Sequence, residues 1–206
     1  MKKINSQKNP YEHTAGIILA GGASSRYGKN KAFLEFDGIP LIEHIAEKMK
    51  GIFQEVILVA NEKERFAHLG LPVVEDFKRG LGPLGGIYTG LLAISNEAGF
   101  FVACDMPFID EGLIRYMTDI RDNHWAVVPS VGDEIEPLHA IYSISCLGAI
   151  KNLIDSEIYQ VRRFYEKIHV RYVQEDKIRQ FVSPKRAFLN INTPDEYDKF
   201  QSLLKS

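Results

Sequence analysis

A series of short apolar segments, each followed by glycine or polar residues, constrains the fold of this chain more than any other feature. A short apolar run with such bounds is typical of a buried strand. Five segments fit this description: residues 16–20 (GIILA), 55–61 (EVILVAN), 72–76 (PVVED), 99–107 (GFFVACDMP) and 125–130 (WAVVPS). We therefore predict five buried strands in the first two thirds of the chain.

Segments with helical periodicity lie between these strands. Residues 40–50 form the clearest of them, and Gly51 is predicted to end the helix. Further helical segments are predicted at residues 62–68, 87–95, 110–121, 145–154, 161–167 and 193–204, and added strands at 136–142 and 170–173. A glycine-rich loop, RGLGPLGG at residues 79–86, is predicted to lead into the helical segment 87–95. Because strands alternate with helices at this spacing, we expect a three-layer α/β fold with a doubly wound, mostly parallel sheet.

Length and composition limit the number of domains and the class of protein. The chain has 206 residues, of which 45% are hydrophobic and 25% charged, which excludes a disordered chain and a coiled coil. No apolar run reaches the length of a membrane-spanning helix, and no apolar stretch follows the lysines near the N-terminus, so we expect no signal peptide. We predict a flexible arm over residues 1–15 and one domain over residues 16–206.

The net charge and the two cysteines limit the classes of binding partner and the cellular compartment that we expect. The net charge is −2 with both signs interspersed, whereas a general nucleic-acid binder is usually basic on one face. The two cysteines, Cys104 and Cys146, form no CxxC motif and cannot be a disulfide framework. We expect a cytoplasmic protein that binds neither nucleic acid nor membrane.

Residues 21–31 (GGASSRYGKNK) form a glycine-rich loop directly after the first predicted strand. Ligands of open α/β sheets bind at the carboxyl ends of the strands, and glycines such as Gly21 and Gly22 let backbone amides approach a phosphate. Arg26 and Lys31 add positive charge that suits a polyphosphate. The spacing matches neither the Walker loop nor the dinucleotide fingerprint GxGxxG. The alternative is a glycine turn with solvated basic residues.

Asp105 follows the fourth predicted strand, which is strongly apolar. A carboxylate in that position needs a partner or a cation, and magnesium is commonly held by one or two carboxylates together with substrate phosphates. The alternative is an aspartate that caps a helix or fixes a turn. The neighbouring Cys104 has no base that would make it a nucleophile, so we interpret it as a small buried thiol.

Four motifs together resemble one protein family. They are LAGGASSRYGKNK at residues 19–31, GPLGGI at 82–87, CDMPF at 104–108 and NINTPDE at 190–196. In this order they resemble the molybdenum cofactor guanylyltransferases of the MobA type, from about Gly16 to Leu204. The departures are Tyr27, where the family usually has Met, and Gly85, where Ala is common. The resemblance implies the fold of nucleotide-diphospho-sugar transferases.

The resemblance also implies an activity and a set of site residues. The family transfers GMP from GTP to the terminal phosphate of molybdopterin, forms the guanine dinucleotide cofactor, releases pyrophosphate and uses Mg²⁺. The implied catalytic residues are Lys31, Arg26 and Asp105, with Asp105 as the metal ligand. The implied nucleotide-binding residues are Leu19, Ala20, Gly21, Gly22, Lys31, Asn61, Asp76, Gly82 and Asp105. Other proteins of cofactor biosynthesis are the implied partners.

The roles of several further residues stay open. Asn190 and Asn192 either serve the acceptor or metal, or fix the turn before the last predicted helix. Arg162 and Arg163 either meet the acceptor phosphate or form a solvated basic face. Residues 136–138 lie where the family lines the acceptor cleft, and we expect His139 to be structural.

Two other functions remain as alternatives. The first is a related transferase that uses CTP or a sugar-1-phosphate. The second is a non-catalytic nucleotide-binding protein that delivers the cofactor to another enzyme. A redox enzyme of the dinucleotide-binding type is disfavoured because the glycine spacing it requires is missing.

Overall fold

A mixed β-sheet lies at the centre of the protein. The computed structural model describes residues 11–20, 31–36 and 38–191. The strands are β1 (Thr14–Leu19), β2 (Glu35–Phe36), β3 (Ile39–Pro40), β4 (Val56–Val59), β5 (Val73–Val74), β6 (Ala98–Ala103), β7 (Ala126–Val131), β8 (Glu134–Ile135), β9 (His139–Ser143) and β10 (Val170–Gln174). The α-helices are α1 (Leu41–Ile52), α2 (Gly82–Ala93), α3 (Glu111–Asp119), α4 (Leu147–Asp155), α5 (Val161–Tyr165), α6 (Glu175–Ile178) and α7 (Pro184–Ala187).

The strand order of the large sheet is β10-β7-β9-β6-β1-β4-β5, and β8 pairs with β7. Strands β6, β1, β4 and β5 run parallel to one another, and β10 is parallel to β7. Strand β9 is antiparallel to both β6 and β7. The sheet is therefore mostly parallel, as predicted. The segment expected as an added strand at residues 136–142 contributes β9, which reverses direction, and the two-residue strand β8 is also antiparallel to β7.

Two hydrophobic clusters cover the two faces of the sheet. Ile17 and Leu19 of β1 pack on one face with α2 and α4, whereas Ile18 packs on the other with α1 and α3. This alternation within one strand buries both faces, because successive side chains of a strand point in opposite directions. The three-layer, doubly wound α/β fold predicted from the sequence is confirmed.

Helix α2 approaches the sheet closely at Gly90. A Cβ atom at this position would lie 2.7 Å from Cε1 of Phe101 in β6 and 3.0 Å from a methyl group of Ile17 in β1. Only glycine fits such a gap without displacing its neighbours. The close packing of α2 on β1 and β6 brings its first turn to the same edge of the sheet as the ends of those strands.

The structure corrects two helix boundaries. The residues of the GPLGG motif are the first turn of α2 rather than a loop: Gly82 takes a positive φ of 62°, and Pro83 follows in the first turn, where its missing N–H costs nothing. Helix α1 continues through Gly51 to Ile52, and the Phe53 N–H donates to the Met49 carbonyl. The buried ring of Phe53 holds this end of the helix in place of a glycine stop.

The N-terminal boundary also differs from the expectation. Strand β1 begins at Thr14, and Tyr11 is only 6% exposed, with its ring edge-to-face on Phe53 at 5.4 Å. Tyr11, Thr14 and Ala15 therefore pack with the rest of the protein instead of forming part of an arm, whereas Glu12 and His13 are exposed. The division of the whole chain into an arm and one domain otherwise stays a prediction. None of the helices in the described part of the chain is long and apolar enough to cross a membrane.

Candidate functional site

The carboxyl ends of four parallel strands are joined side by side by backbone hydrogen bonds. The Ala60 N–H donates to Val74 O (2.9 Å), and the Ala20 N–H donates to Val59 O (2.9 Å). On the other side of β1, the Cys104 N–H donates to Leu19 O over 3.0 Å. The residues that follow β5, β4, β1 and β6 therefore emerge along one edge, the position at which open α/β sheets bind ligands.

Asn61 and Asp76 meet at this edge. Asn61 follows β4 by two positions and Asp76 follows β5 by two, and parallel pairing of Val59 with Val74 sets them next to each other. The Asn61 Nδ2 donates a hydrogen bond to Asp76 Oδ2 over 2.9 Å. A carboxylate has about four acceptor positions, so the bond to Asn61 leaves Asp76 able to accept further donors.

Helix α2 supports the backbone that follows Asp76. The Phe77 N–H donates to Thr89 Oγ1 over 2.9 Å, and the Thr89 hydroxyl donates to Gly85 O over 2.9 Å. The Phe77 ring lies edge-to-face on Tyr88 at a centroid distance of 5.3 Å and is 55% exposed. An exposed aromatic ring thus lies one residue after the Asp76 carboxylate.

Asp105 lies further along the same edge, between two other segments. It is half-buried two residues after β6, and its carbonyl accepts from the Ile191 N–H over 3.0 Å. The preceding strand residue, Ala103, donates its N–H to Leu138 O over 3.1 Å. The backbone of residues 136–138 and that of Asn190–Ile191 are thereby brought to the end of β6.

Glu136 and His139 flank this region with shifted pKa values. Burial, together with the carboxylate of Glu134, raises the pKa of Glu136 from 4.5 to about 7. His139 is fully buried between the rings of Phe100 and Phe188, and burial lowers its pKa from 6.5 to about 4. Neither ring nitrogen of His139 has a hydrogen-bond partner among the described residues. A neutral imidazole packed among aromatic rings agrees with the predicted structural role.

Two buried tyrosines connect Pro137 to α5. The Tyr142 hydroxyl donates to Pro137 O over 2.8 Å and lies 2.5 Å from the Tyr165 hydroxyl. Because the single Tyr142 proton goes to Pro137, the Tyr165 hydroxyl is the donor between the two rings. Burial raises the pKa of both Tyr142 and Tyr165 well above the ordinary value, so both hydroxyls stay protonated. These two hydrogen bonds fix the backbone at Pro137. Tyr142 lies on the face of the sheet opposite to the one that holds Phe100.

The structure describes some of the remaining predicted residues and not others. Lys31 opens a 3₁₀ helix, Lys31–Phe33, but its side chain is not described. Arg163 is exposed and pairs with Glu166 at 3.3 Å, which favours a solvated basic face for that residue. Arg162 is also exposed. The predicted residues outside the described part of the chain are Gly21, Gly22, Arg26 and Asn192.

Thr89, Phe77 and the pair Tyr142 and Tyr165 were not predicted from the sequence. Thr89 is a polar residue inside the apolar helical segment 87–95, and Phe77 directly follows a predicted site residue. These two features of the sequence could have indicated Thr89 and Phe77 as candidates. The contact between Tyr142 and Tyr165 could not be predicted from the sequence, because it joins residues 23 positions apart through the tertiary fold.

Comparison with known proteins identifies the family. The model of the MobA-like NTP transferase domain matches residues 16–173, more than half of the chain. The chain belongs to the MobA-like NTP transferase family. The resemblance inferred from the four sequence motifs is therefore confirmed.

Relatives of this MobA-like chain match it over most of their length. A protein of Pelotomaculum thermopropionicum named probable molybdenum cofactor guanylyltransferase is 39% identical, covering 89% of this chain and 90% of that protein. The molybdenum cofactor guanylyltransferase of Syntrophotalea carbinolica is 35% identical, covering 91% and 90%. The chain is a nucleotidyltransferase of the MobA type.

Solved structures agree with this assignment. Molybdopterin-guanine dinucleotide biosynthesis protein A of Archaeoglobus fulgidus superposes with a TM-score of 0.80 at 26% identity, covering 93% of this chain and 98% of that one. The 4-diphosphocytidyl-2C-methyl-D-erythritol synthase of Anaerococcus prevotii has a TM-score of 0.70 at 13% identity, covering 94% and 98%, a likeness of fold alone. The MobA-like fold is thus the nucleotide-diphospho-sugar transferase fold that the motifs implied.

Proposed function

We propose that this protein transfers GMP from GTP to the phosphate of molybdopterin, forming the guanine dinucleotide cofactor and releasing pyrophosphate. The observation that carries the proposal is the Asn61–Asp76 hydrogen bond at the carboxyl edge of a MobA-like sheet. The names of the relatives from Pelotomaculum thermopropionicum and Syntrophotalea carbinolica support the same acceptor and nucleotide.

Base selection follows from the chemistry of the Asp76 carboxylate. Guanine offers two adjacent donors, N1–H and the 2-amino group, and a carboxylate accepts both at once. Adenine has no such pair, because its N1 is an acceptor. Cytosine likewise places the N3 acceptor beside its 4-amino group. Uracil has the single donor N3–H between two carbonyl oxygens. Asp76, held by Asn61, therefore favours GTP over the other three nucleotides.

Charge neutralisation is the main requirement at the phosphates. Lys31 and Arg26 supply positive charge there, and the loop of Gly21 and Gly22 supplies backbone N–H donors. Within residues 11–20, 31–36 and 38–191, no three metal-ligating side chains cluster. Mg²⁺ commonly takes only one or two carboxylates and completes its shell with substrate phosphates and water, and Asp105 fits that requirement. The ion would stabilise negative charge on the triphosphate.

The transfer itself needs no general base from the protein. The attacking group is a phosphate oxygen of the acceptor, which is already ionised at neutral pH, and it displaces pyrophosphate from the α-phosphorus in line. The contribution of the chain is then to orient the two substrates and to exclude water. Residues 136–138, Asn190 and Asn192 are the candidates for the acceptor side.

The decisive experiment supplies purified molybdopterin, Mg²⁺ and each of GTP, CTP, ATP and UTP, and measures pyrophosphate release. We expect release with GTP alone, and only when molybdopterin is present. Release with CTP but not GTP would replace this proposal with a cytidylyltransferase, and release with a sugar-1-phosphate acceptor would make the protein a sugar nucleotidyltransferase. GTP binding without any release would make it a delivery protein.

A further inference from the structure

Thr89 is a buried polar residue of α2 whose hydroxyl group has two partners in different segments. Thr89 is only 4% exposed. Oγ1 donates to Gly85 O one helical turn earlier and accepts from the Phe77 N–H, each over 2.9 Å. The first bond is common for threonine in a helix. The second bond ties the helix to the chain segment directly after Asp76.

The Asp76 carboxylate is consequently held from two sides. Asn61, which follows β4, donates to the carboxylate itself, and Thr89 of α2 fixes the next peptide group through the Phe77 N–H. Strand β5 pairs with β4 over only two residues, Val73–Val74, so the sheet alone does not determine the backbone at Asp76. The ring of Tyr88 adds an edge-to-face contact to Phe77 on the same helix.

A carboxylate that accepts two adjacent donors must be placed more accurately than one that accepts a single donor. Both oxygens have to lie within hydrogen-bond distance of the base at once, so a shift of the backbone loses one bond before the other. Loss of one bond weakens recognition of a base with both donors and leaves a base with one donor almost unaffected. Inosine triphosphate (ITP) is such a nucleotide, because hypoxanthine keeps N1–H and lacks the 2-amino group.

We propose that Thr89 is a positioning residue for base selection: it fixes the backbone after Asp76 so that the carboxylate accepts both guanine donors. The proposal rests on the proposed function, since it takes Asp76 as the base-recognising group. It predicts that the hydroxyl of Thr89, which touches no substrate, determines the preference for GTP over ITP.

The test compares Thr89→Val, which keeps the shape and removes the hydroxyl, with Thr89→Ser, which keeps the hydroxyl and removes a methyl group. Binding of GTP and ITP with Mg²⁺, and the kcat and KM for each, are measured for both variants and the wild type. For Thr89→Val we expect GTP binding to weaken about tenfold, ITP binding and kcat to change little, and the GTP/ITP preference to fall toward one. Thr89→Ser retains the wild-type preference.

The outcomes separate this inference from the proposed function. A wild-type protein that binds neither nucleotide contradicts the proposed function itself. A wild type that prefers GTP, together with a folded Thr89→Val that keeps the same preference, contradicts only the inference. So does a Thr89→Ser variant that loses the preference as Thr89→Val does. Should Thr89→Val not fold, Thr89→Ala removes the same hydroxyl with less steric change and carries the comparison with Thr89→Ser.

Discussion

The side-chain amide of Asn61 donates a hydrogen bond to the Asp76 carboxylate over 2.9 Å, joining two residues 15 positions apart at the ends of neighbouring parallel strands. Each was predicted separately as a nucleotide-binding residue, and the fold makes them one unit. Asn61 uses one acceptor position of the carboxylate and leaves the others for a base. The relationship converts two isolated predictions into a specific hypothesis of guanine recognition.

The first prediction concerns Asp76→Asn. This change replaces a carboxylate oxygen with an NH₂ group, which cannot accept from guanine and opposes the Asn61 donor. We expect GTP affinity to fall about 10- to 100-fold, because about 1–3 kcal/mol is lost when donors are left unpaired. Calorimetric titration with GTP and Mg²⁺ measures it. Asp119→Asn, at an exposed position of α3, is the matched control and should bind GTP as the wild type does.

The second prediction concerns Asp105→Asn. If Asp105 holds the metal ion, its loss removes the carboxylate that neutralises charge near the phosphates, and pyrophosphate release falls at least about 100-fold, equal to about 2.7 kcal/mol of barrier. Raising the Mg²⁺ concentration should restore part of the activity. A folded Asp105→Asn protein with the wild-type rate and Mg²⁺ dependence would show that the metal role is wrong.

The third prediction is a pH dependence of stability caused by His139. Its folded pKa of about 4 lies below the ordinary value of 6.5, so the unfolded chain binds more protons between these limits. The contribution of His139 to stability therefore falls by about 3 kcal/mol as the pH falls from 6.5 to 4. Glu136, whose folded pKa is raised, changes stability in the opposite sense, but it does so equally in the wild type and in a His139 variant. His139→Leu lacks this loss. Urea unfolding of both proteins across pH 4–7 checks it, and a constant difference between them contradicts the prediction.

The fourth prediction ranks the two tyrosines. Tyr142→Phe leaves both Pro137 O and the Tyr165 hydroxyl without a partner, whereas Tyr165→Phe removes only the donor to Tyr142. We expect Tyr142→Phe to cost about 1–3 kcal/mol of unfolding free energy and Tyr165→Phe about 0.5–1.5. The double variant should cost less than the sum, since the two share one bond. A reversed ranking would mean that the assigned direction of donation is wrong, and additive effects would mean that the two hydroxyls do not share a bond.

The fifth prediction compares two helical glycines. In Gly90→Ala the new Cβ meets Phe101 at 2.7 Å, so crowding outweighs the better helix propensity of alanine and stability falls by about 1–3 kcal/mol. In Gly148→Ala, on α4, nothing lies within 4 Å of the new Cβ, and alanine should stabilise the helix by up to about 1 kcal/mol. Thermal unfolding should therefore shift Tm in opposite directions. Equal shifts of Tm in the two variants would mean that the space around Gly90 is not too small for alanine.

Strand positions and the ends of strands were predictable because they depend on local pattern. The run that ends before Asp105 is apolar on every residue, as is typical of a strand buried on both faces, and the polar residue after it marks the edge of the sheet. The GPLGG segment was misjudged for the opposite reason. Its glycines favour a loop locally, whereas packing of α2 against Phe101 and Ile17 requires glycine at Gly90 and stabilises the whole helix.

The sequence by itself determined the order of strands and helices, the mostly parallel sheet and the polar residues at the strand ends, because periodicity and glycine placement act over a few residues. The tertiary structure alone decided which of those residues touch. Parallel register aligns Val59 with Val74 and so joins Asn61 to Asp76, and the packing of α2 brings Thr89 to Phe77. Such contacts depend on distances between segments far apart in the chain, and no local pattern encodes them.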